Sequence, residues 1–152
     1  LKEYFDVEEV KDKVKFFQFM GKCGFNEHVI GFYKDKKFWL LRLKNVKMLD
    51  KFADGKSKDY NALDVSILNR LIFRGILKYE TDDHEALRYS ADADYVISCV
   101  DRDELSLAFF LNPVRMEQII SVALGGEKMP PKSTYFYPKV LSGLVVNRHE
   151  DK

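Results

Sequence analysis

The chain has 152 residues, 46% of them apolar, which fits one ordinary globular domain. Its 25 basic and 24 acidic residues leave a formal net charge of +1, whereas nucleic-acid-binding proteins usually carry a clear basic excess. The longest apolar stretch, 105–111, is far shorter than the roughly 20 residues of a membrane-spanning helix. We therefore expect neither a nucleic-acid nor a membrane partner. No signal-type segment opens the chain, so we expect a cytoplasmic location.

The first third of the chain predicts a helix and a β-hairpin. Asp6 and Glu9 have the spacing of a capping box, and apolar residues then recur at helical intervals, so we expect a helix over 7–21. Two β-rich runs, 28–33 and 38–43, flank a short polar segment, which indicates a hairpin. Its tip lacks an Asn-Gly pair, so the sequence leaves the turn type open.

A lysine-rich segment and a helix are predicted next. Residues 44–60 indicate a loop with a turn of helix at 46–52. Asp64 can cap a following helix, whose apolar stripe extends to Ile76.

Residues 83–101 allow two interpretations. One is a strand at 87–90 followed by a helix that begins after Asp92 or Asp94, and the other is a single helix over the whole range. Periodicity alone does not decide between them.

The last third predicts two strands around a helix. The apolar run 105–111 is typical of a covered strand, and Asn112-Pro113 can start a helix that ends at Gly125-Gly126. Residues 143–148 indicate a final strand. Taken together, the elements predict a single α+β domain, residues 1–152, with a mixed or mostly antiparallel sheet and helices packed on it.

The segment 129–139 is the most unusual part of the sequence. Its prolines stiffen the backbone, and its lysines, hydroxyls and tyrosines are the donors that an anion would need. A connector whose aromatic rings pack on a sheet needs no ligand and is the alternative. A nucleotide-binding P-loop is excluded, because the required upstream glycines are missing. The candidate ligand residues for a phosphate or other anion are Lys132, Ser133, Thr134, Tyr135, Tyr137 and Lys139.

This segment also carries a family resemblance. The matching stretches are Asn112-Pro113 with the helix after it, Met129 to Lys139, Ser142-Gly143-Leu144-Val145, and Leu63 to Leu68. Together they resemble the end of the uncharacterised prokaryotic "domain of unknown function 1015" family. The resemblance implies that the chain is the C-terminal half of a longer protein. It also implies that an Ala-Asp-Gly-His-His-Arg type of motif, suggestive of a phosphorylated or nucleotide-like ligand, belongs to the N-terminal half; this chain has none.

Two functional hypotheses follow from the resemblance and the 129–139 segment. In the first, the chain is a structural or interaction domain that supports the missing N-terminal half and has no complete active site. In the second, 129–139 forms half of an enzyme site for a phosphorylated small molecule or nucleotide. The sequence identifies no catalytic residue and no cofactor. We expect no metal site, since Asp82-Asp83-His84-Glu85 is typical of a solvated acidic loop.

An interface lost with the N-terminal half would leave aromatic side chains on the surface. Val10, Val14 and Phe17 share one helical stripe, which we expect to face the core. A resulting patch could make the isolated domain a homodimer. The alternative is that all these rings belong to the core. The rings considered for the patch are Phe16, Phe19, Phe32, Trp39, Tyr135 and Tyr137.

Overall fold

The computed structural model describes residues 1–52, 55–79 and 87–134. Its strands are β1 (Phe5–Val10), β2 (Val29–Lys34), β3 (Lys37–Leu43) and β4 (Ala108–Phe110). Its helices are α1 (Lys13–Cys23), a 3-10 helix (Val46–Phe52), α2 (Lys58–Asn61), α3 (Asp64–Ile67), which continues as a π-helix (Leu68–Leu77), α4 (Ala93–Asp101) and α5 (Met116–Leu124). The predicted α+β class is confirmed.

The described strands form one antiparallel sheet in the order β1-β3-β2-β4. The predicted hairpin is β2 and β3, and Phe32 pairs with Trp39 across it. Its tip, Asp35-Lys36, has φ values of 50° and 58°. Positive φ at both central residues is the signature of a type I′ turn, whose twist matches that of the flanking strands. The hairpin therefore uses this turn without a glycine.

Both faces of the sheet are covered, because successive side chains of a strand point to opposite sides. Val29 and Leu40 belong to the cluster beneath α1 and α4, whereas Ile30 and Leu41 belong to the cluster beneath the π-helix. All four are 0% exposed. This explains why β2 and β3 are nearly continuous apolar runs rather than alternating ones.

Gly31 in β2 allows α1 to lie directly on the sheet. A Cβ atom at this position would be 2.5 Å from Cζ of Phe16 and 2.6 Å from Sδ of Met20. Real Cβ contacts are never this short, so any larger residue would displace these side chains.

The start of the predicted first helix is wrong. Residues 5–10 form the edge strand β1, paired with β3 over six residues, and α1 begins only at Lys13. Asp12 rather than Asp6 caps α1, accepting a hydrogen bond of 2.8 Å from the amide of Lys15. Val7 and Val10 would share one side of a helix, but in β1 they point to opposite faces of the sheet and join different core clusters.

The structure also tests the other predicted element boundaries. The turn of helix at 46–52 is confirmed. No strand forms at 87–90, and because this stretch is not helical either, the single helix over 83–101 is wrong; α4 begins after its cap, Asp92. The strand predicted at 105–111 is reduced to β4. The strand predicted at 143–148 lies outside the described residues.

The residues expected to cap two further helices have other roles. Asp64 does not cap α3, since the N-cap residue is Leu63 and Asp64 is the first helical residue. Similarly, α5 begins after Arg115, three residues beyond Asn112. Gly125 ends α5 as predicted. Both Asp64 and Asn112 instead line a polar cleft.

Candidate functional site

Four segments that are distant in the sequence enclose one polar cleft. They are the loop between α1 and β2, the start of α3, the loop after β4 and the first turn of α5. The cleft encloses about 100 Å³ and opens to solvent. Its lining residues are Gly24, Phe25, Asn26, Glu27, His28, Asp64, Asn112, Pro113, Arg115 and Gln118.

A histidine–aspartate pair forms one wall of this cleft. Nδ1 of His28 lies 2.8 Å from Oδ1 of Asp64, and their side chains are 23% and 17% exposed. The backbone of His28 is fixed as well, because its carbonyl accepts a hydrogen bond from the amide of Leu43. A carboxylate that accepts the Nδ1 proton sets both the tautomer and the ring orientation. Among the described residues, nothing hydrogen-bonds to Nε2, which leaves this atom for a ligand.

Asn112 fills the floor of the cleft and depends on a glycine. Its Nδ2 lies 3.5 Å from the carbonyl oxygen of Val29, the outer limit of a hydrogen bond. A Cβ atom at Gly24 would be 2.0 Å from Nδ2 of Asn112 and 2.9 Å from the carbonyl oxygen of Met20. The φ of Gly24 is −65°, so this glycine is required for space and not for conformation.

Arg115 forms the opposite wall. Its Nη1 donates a hydrogen bond to the carbonyl oxygen of Phe25, and its guanidinium lies 5.7 Å from the centre of the Phe25 ring. The amide of Arg115 donates to Oε1 of Gln118 at 2.9 Å. These contacts hold an exposed guanidinium at the cleft that the histidine–aspartate pair also lines. Nε and Nη2 keep donors available, since no described residue accepts from them.

Sequence reasoning missed this site. His28 and Asp64 are 36 residues apart and share no motif, and the sequence around Asp64 and Asn112 favours helix caps. A short polar residue near the start of a helix can either cap that helix or contact a distant residue, and only the fold decides between these roles. The weak signal available was a histidine at the start of a predicted strand.

The predicted 129–139 site is only partly described. The Ser133 hydroxyl donates a hydrogen bond of 2.6 Å to the carbonyl oxygen of Pro130, in its own loop. Lys132 is exposed with a φ of 58°, and Thr134 is also exposed. Tyr135, Tyr137 and Lys139 lie outside the described residues. Neither Lys132, Ser133 nor Thr134 lines the cleft, so an anion site in this segment stays a prediction.

Four of the six rings considered for the aromatic patch are described, and their exposure differs. Phe16 is fully buried and contacts Phe17, Phe38 and Phe110, while Val14, expected in the core, is 63% exposed. The inner side of α1 therefore carries Phe16 and Met20, and Val14 lies on its outer side. Phe19 is 39% exposed, and Phe32 and Trp39 are half-buried with their rings 5.2 Å apart. Tyr135 and Tyr137 lie outside the described residues.

An exposed apolar surface occurs instead on α5. Met116, Ile120 and Leu124 are 55%, 50% and 84% exposed, and their spacing of four residues places them on one side of the helix. We call them the α5 stripe. The opposite side buries Val122 against Leu63 and its neighbours. Apolar residues on both sides are typical of a helix that is covered all round.

Several groups outside the cleft have shifted pKa values, among them Tyr33 and Glu127. Burial raises the pKa of Tyr33 to about 12, and its 2.6 Å hydrogen bond to Asp101 adds to the shift. The pKa of Glu127 is lowered, chiefly by the hydrogen bond from the Ser57 hydroxyl and further by the Ser57 amide and Lys56. Both groups join distant segments and have structural roles.

The described part of the chain offers few other sites. No three His, Cys, Asp or Glu side chains within it are arranged to hold a metal ion. None of its helices combines the length and apolar character needed to cross a membrane. Cys23 is half-buried and Cys99 buried, and both are unpaired thiols.

Comparison with known proteins does not identify this chain. No protein family, curated protein or solved structure matches it.

Proposed function

We propose that this chain is a structural and interaction domain of a larger protein, without a complete active site of its own. The observation that carries the proposal is the α5 stripe. Three large apolar side chains at least half exposed on one helix side are unusual in a protein that acts alone. The proposed partner is the N-terminal half of a longer chain, which the family resemblance implies.

The packing of α5 supports this assignment. Val122 is 0% exposed and anchors α5 to Leu63 and Val65, so the helix is fixed in place before any partner binds. A rigid apolar surface loses little conformational entropy on binding, which favours association. A cytoplasmic setting is part of the proposal, and the unpaired thiols of Cys23 and Cys99 are typical of a reducing compartment.

Site-specific photocrosslinking tests the proposal. A benzophenone side chain at position 120 should crosslink to the partner in cells that express the complete natural protein, and peptide mass mapping identifies the crosslinked segment. Val14 provides the matched control, because it is an apolar helical residue with 63% exposure on a different face. Crosslinks from 120 to an N-terminal segment, without crosslinks from 14, support the proposal.

Three results would contradict it. Crosslinks of equal yield from positions 120 and 14 would show that the α5 stripe is ordinary surface. Crosslinks only between two copies of position 120 would show that the α5 stripe is a homodimer contact. Turnover of any substrate by the isolated 152-residue chain would show that the domain has a complete active site.

A further inference from the structure

We propose that the cleft between His28 and Arg115 binds a small carboxylate, a function separate from partner binding by α5. The proposal rests on four side chains brought together by the fold, His28, Asp64, Asn112 and Arg115, around a solvent-open space of about 100 Å³. This volume suits a group of a few heavy atoms. It does not suit a nucleotide or a large cofactor.

Arg115 is the primary anion-binding group. Its guanidinium is held by Phe25 through one nitrogen, so the planar fork is already oriented while Nε and Nη2 remain without a protein partner in the described chain. A guanidinium fork matches the two oxygens of a carboxylate and gives two parallel hydrogen bonds. Preorientation lowers the entropy cost of forming them.

His28 and Asn112 supply the other polar contacts. Asp64 binds the Nδ1 side of the imidazole, so Nε2 is the ring nitrogen left for a ligand in the cleft. The amide of Asn112 is held by only one long hydrogen bond and can donate a second one. Polar side chains of three different types thus line the same space.

The charges of the cleft decide between carboxylate and phosphate. Two carboxylates, Glu27 and Asp64, line the cleft, whereas Arg115 is the lining residue with a permanent positive charge. One guanidinium can neutralise a monoanion, but a phosphate dianion would keep an excess negative charge beside the two carboxylates. We therefore assign the site to a monoanionic carboxylate.

Acetate titration followed by NMR tests the site. The Cε1–H resonance of His28, assigned through its loss in His28→Gln, should shift saturably with sodium acetate at pH 6 and constant ionic strength. The resonances of the other two histidines serve as internal references. Sodium chloride and inorganic phosphate are the comparison arms, and we expect at least tenfold weaker effects from each.

Variants of Arg115 separate ligand binding from folding. Arg115→Gln should weaken acetate binding at least tenfold, and Arg115→Lys should also weaken it because the charge remains without the fork. Arg102→Gln is the control, since Arg102 is an exposed arginine paired with Glu104 outside the cleft. If the resonances of His28 and Asp64 are unchanged in the absence of acetate, the Arg115 variants keep the cleft intact.

The assignment is overturned if the His28 chemical shift changes linearly with acetate, or if chloride changes it as much as acetate does. It is also overturned if Arg115→Gln and Arg102→Gln lose the same amount of acetate affinity. Tighter binding of phosphate than of acetate would overturn the carboxylate assignment. If both Arg115 variants disturb the cleft, Asn112→Ala takes their place, and full acetate affinity in that variant counts against the site.

Discussion

Replacing Gly31 by alanine tests the packing of α1 on the sheet. The new methyl carbon would be 2.5 Å from Phe16 and 2.6 Å from Met20, where ordinary contacts need at least 3.4 Å. Met20 is flexible and can move, but Phe16 is fully buried among other rings and cannot. Overpacking of this kind costs about 1–3 kcal/mol. Alanine also removes the entropic cost of a glycine in a strand, about 0.5–1 kcal/mol, so the steric effect must exceed that gain.

Gly21, which lies on α1 with Phe16 and Met20, provides the control. It is exposed within α1, and a Cβ atom there would have nothing within 4 Å. Gly21→Ala should therefore increase the free energy of unfolding by about 0.5–1 kcal/mol through helix propensity alone. Since the gain from replacing glycine is similar at both positions, the two alanine variants should differ by the overpacking cost of about 1–3 kcal/mol, with Gly21→Ala the more stable.

Urea unfolding followed by fluorescence measures both variants, since Trp39 is the only tryptophan and lies on β3. Combining Gly31→Ala with Phe16→Leu should cost less than the sum of the single changes, because the shorter side chain vacates the contact. Equal stability of wild type and Gly31→Ala would refute the close approach of α1 to the sheet, and additivity in the double variant would refute the role of Phe16.

Three further predictions concern the hairpin, a buried tyrosine and a helix cap. Lys36→Gly should raise the free energy of unfolding by about 0.5–1 kcal/mol in urea titrations, since glycine adopts the φ of 58° without steric cost. Lys37→Gly, within β3, is the control and should lower the free energy of unfolding. The raised pKa of Tyr33 keeps its hydroxyl protonated in the folded state. About 2–3 kcal/mol of stability should therefore be lost as the pH rises from about 10 to about 12. In melts across that range, Tyr33→Phe should lose this pH dependence. Ser57→Ala should cost about 1 kcal/mol, because Ser57 caps α2 through the amide of Tyr60. It should also move the pKa of Glu127 back toward its usual value in a carboxyl NMR titration; an unchanged value would contradict the assigned hydrogen bonds.

The sheet and helices could be predicted where the local pattern is strong. The hairpin follows from two β-rich runs of matching length, and the helix over 64–77 follows from its apolar stripe. β1 could not be predicted, because Val7 and Val10 have helical spacing, and a strand places them on opposite faces of a sheet that is covered on both sides. Part of the helix over 64–77 is a π-helix, and an ordinary apolar stripe does not reveal this geometry.

The cleft could not be predicted, because its residues meet only after the sheet is assembled. His28 immediately precedes β2 and Asn112 follows β4, and these strands are neighbours although Lys34 and Ala108 are 74 positions apart in the sequence. Asp64 reaches the same place through the helix that covers one face of the sheet. Each residue alone fits an ordinary local role, so their convergence is a property of topology and not of any motif.

The two proposals use different residues of α5 and can fail separately. Arg115 precedes its first turn at the cleft, whereas Leu124, the most exposed member of the α5 stripe, lies nine residues later, about 13 Å along the axis. A Leu124→Lys change would place a charge in the proposed interface but outside contact range of the cleft. We therefore expect Leu124→Lys to reduce crosslinking from position 120 while acetate affinity stays within twofold of wild type. Loss of both would show that a change at Leu124 is transmitted along α5 to Arg115, which would contradict the independence of the two sites.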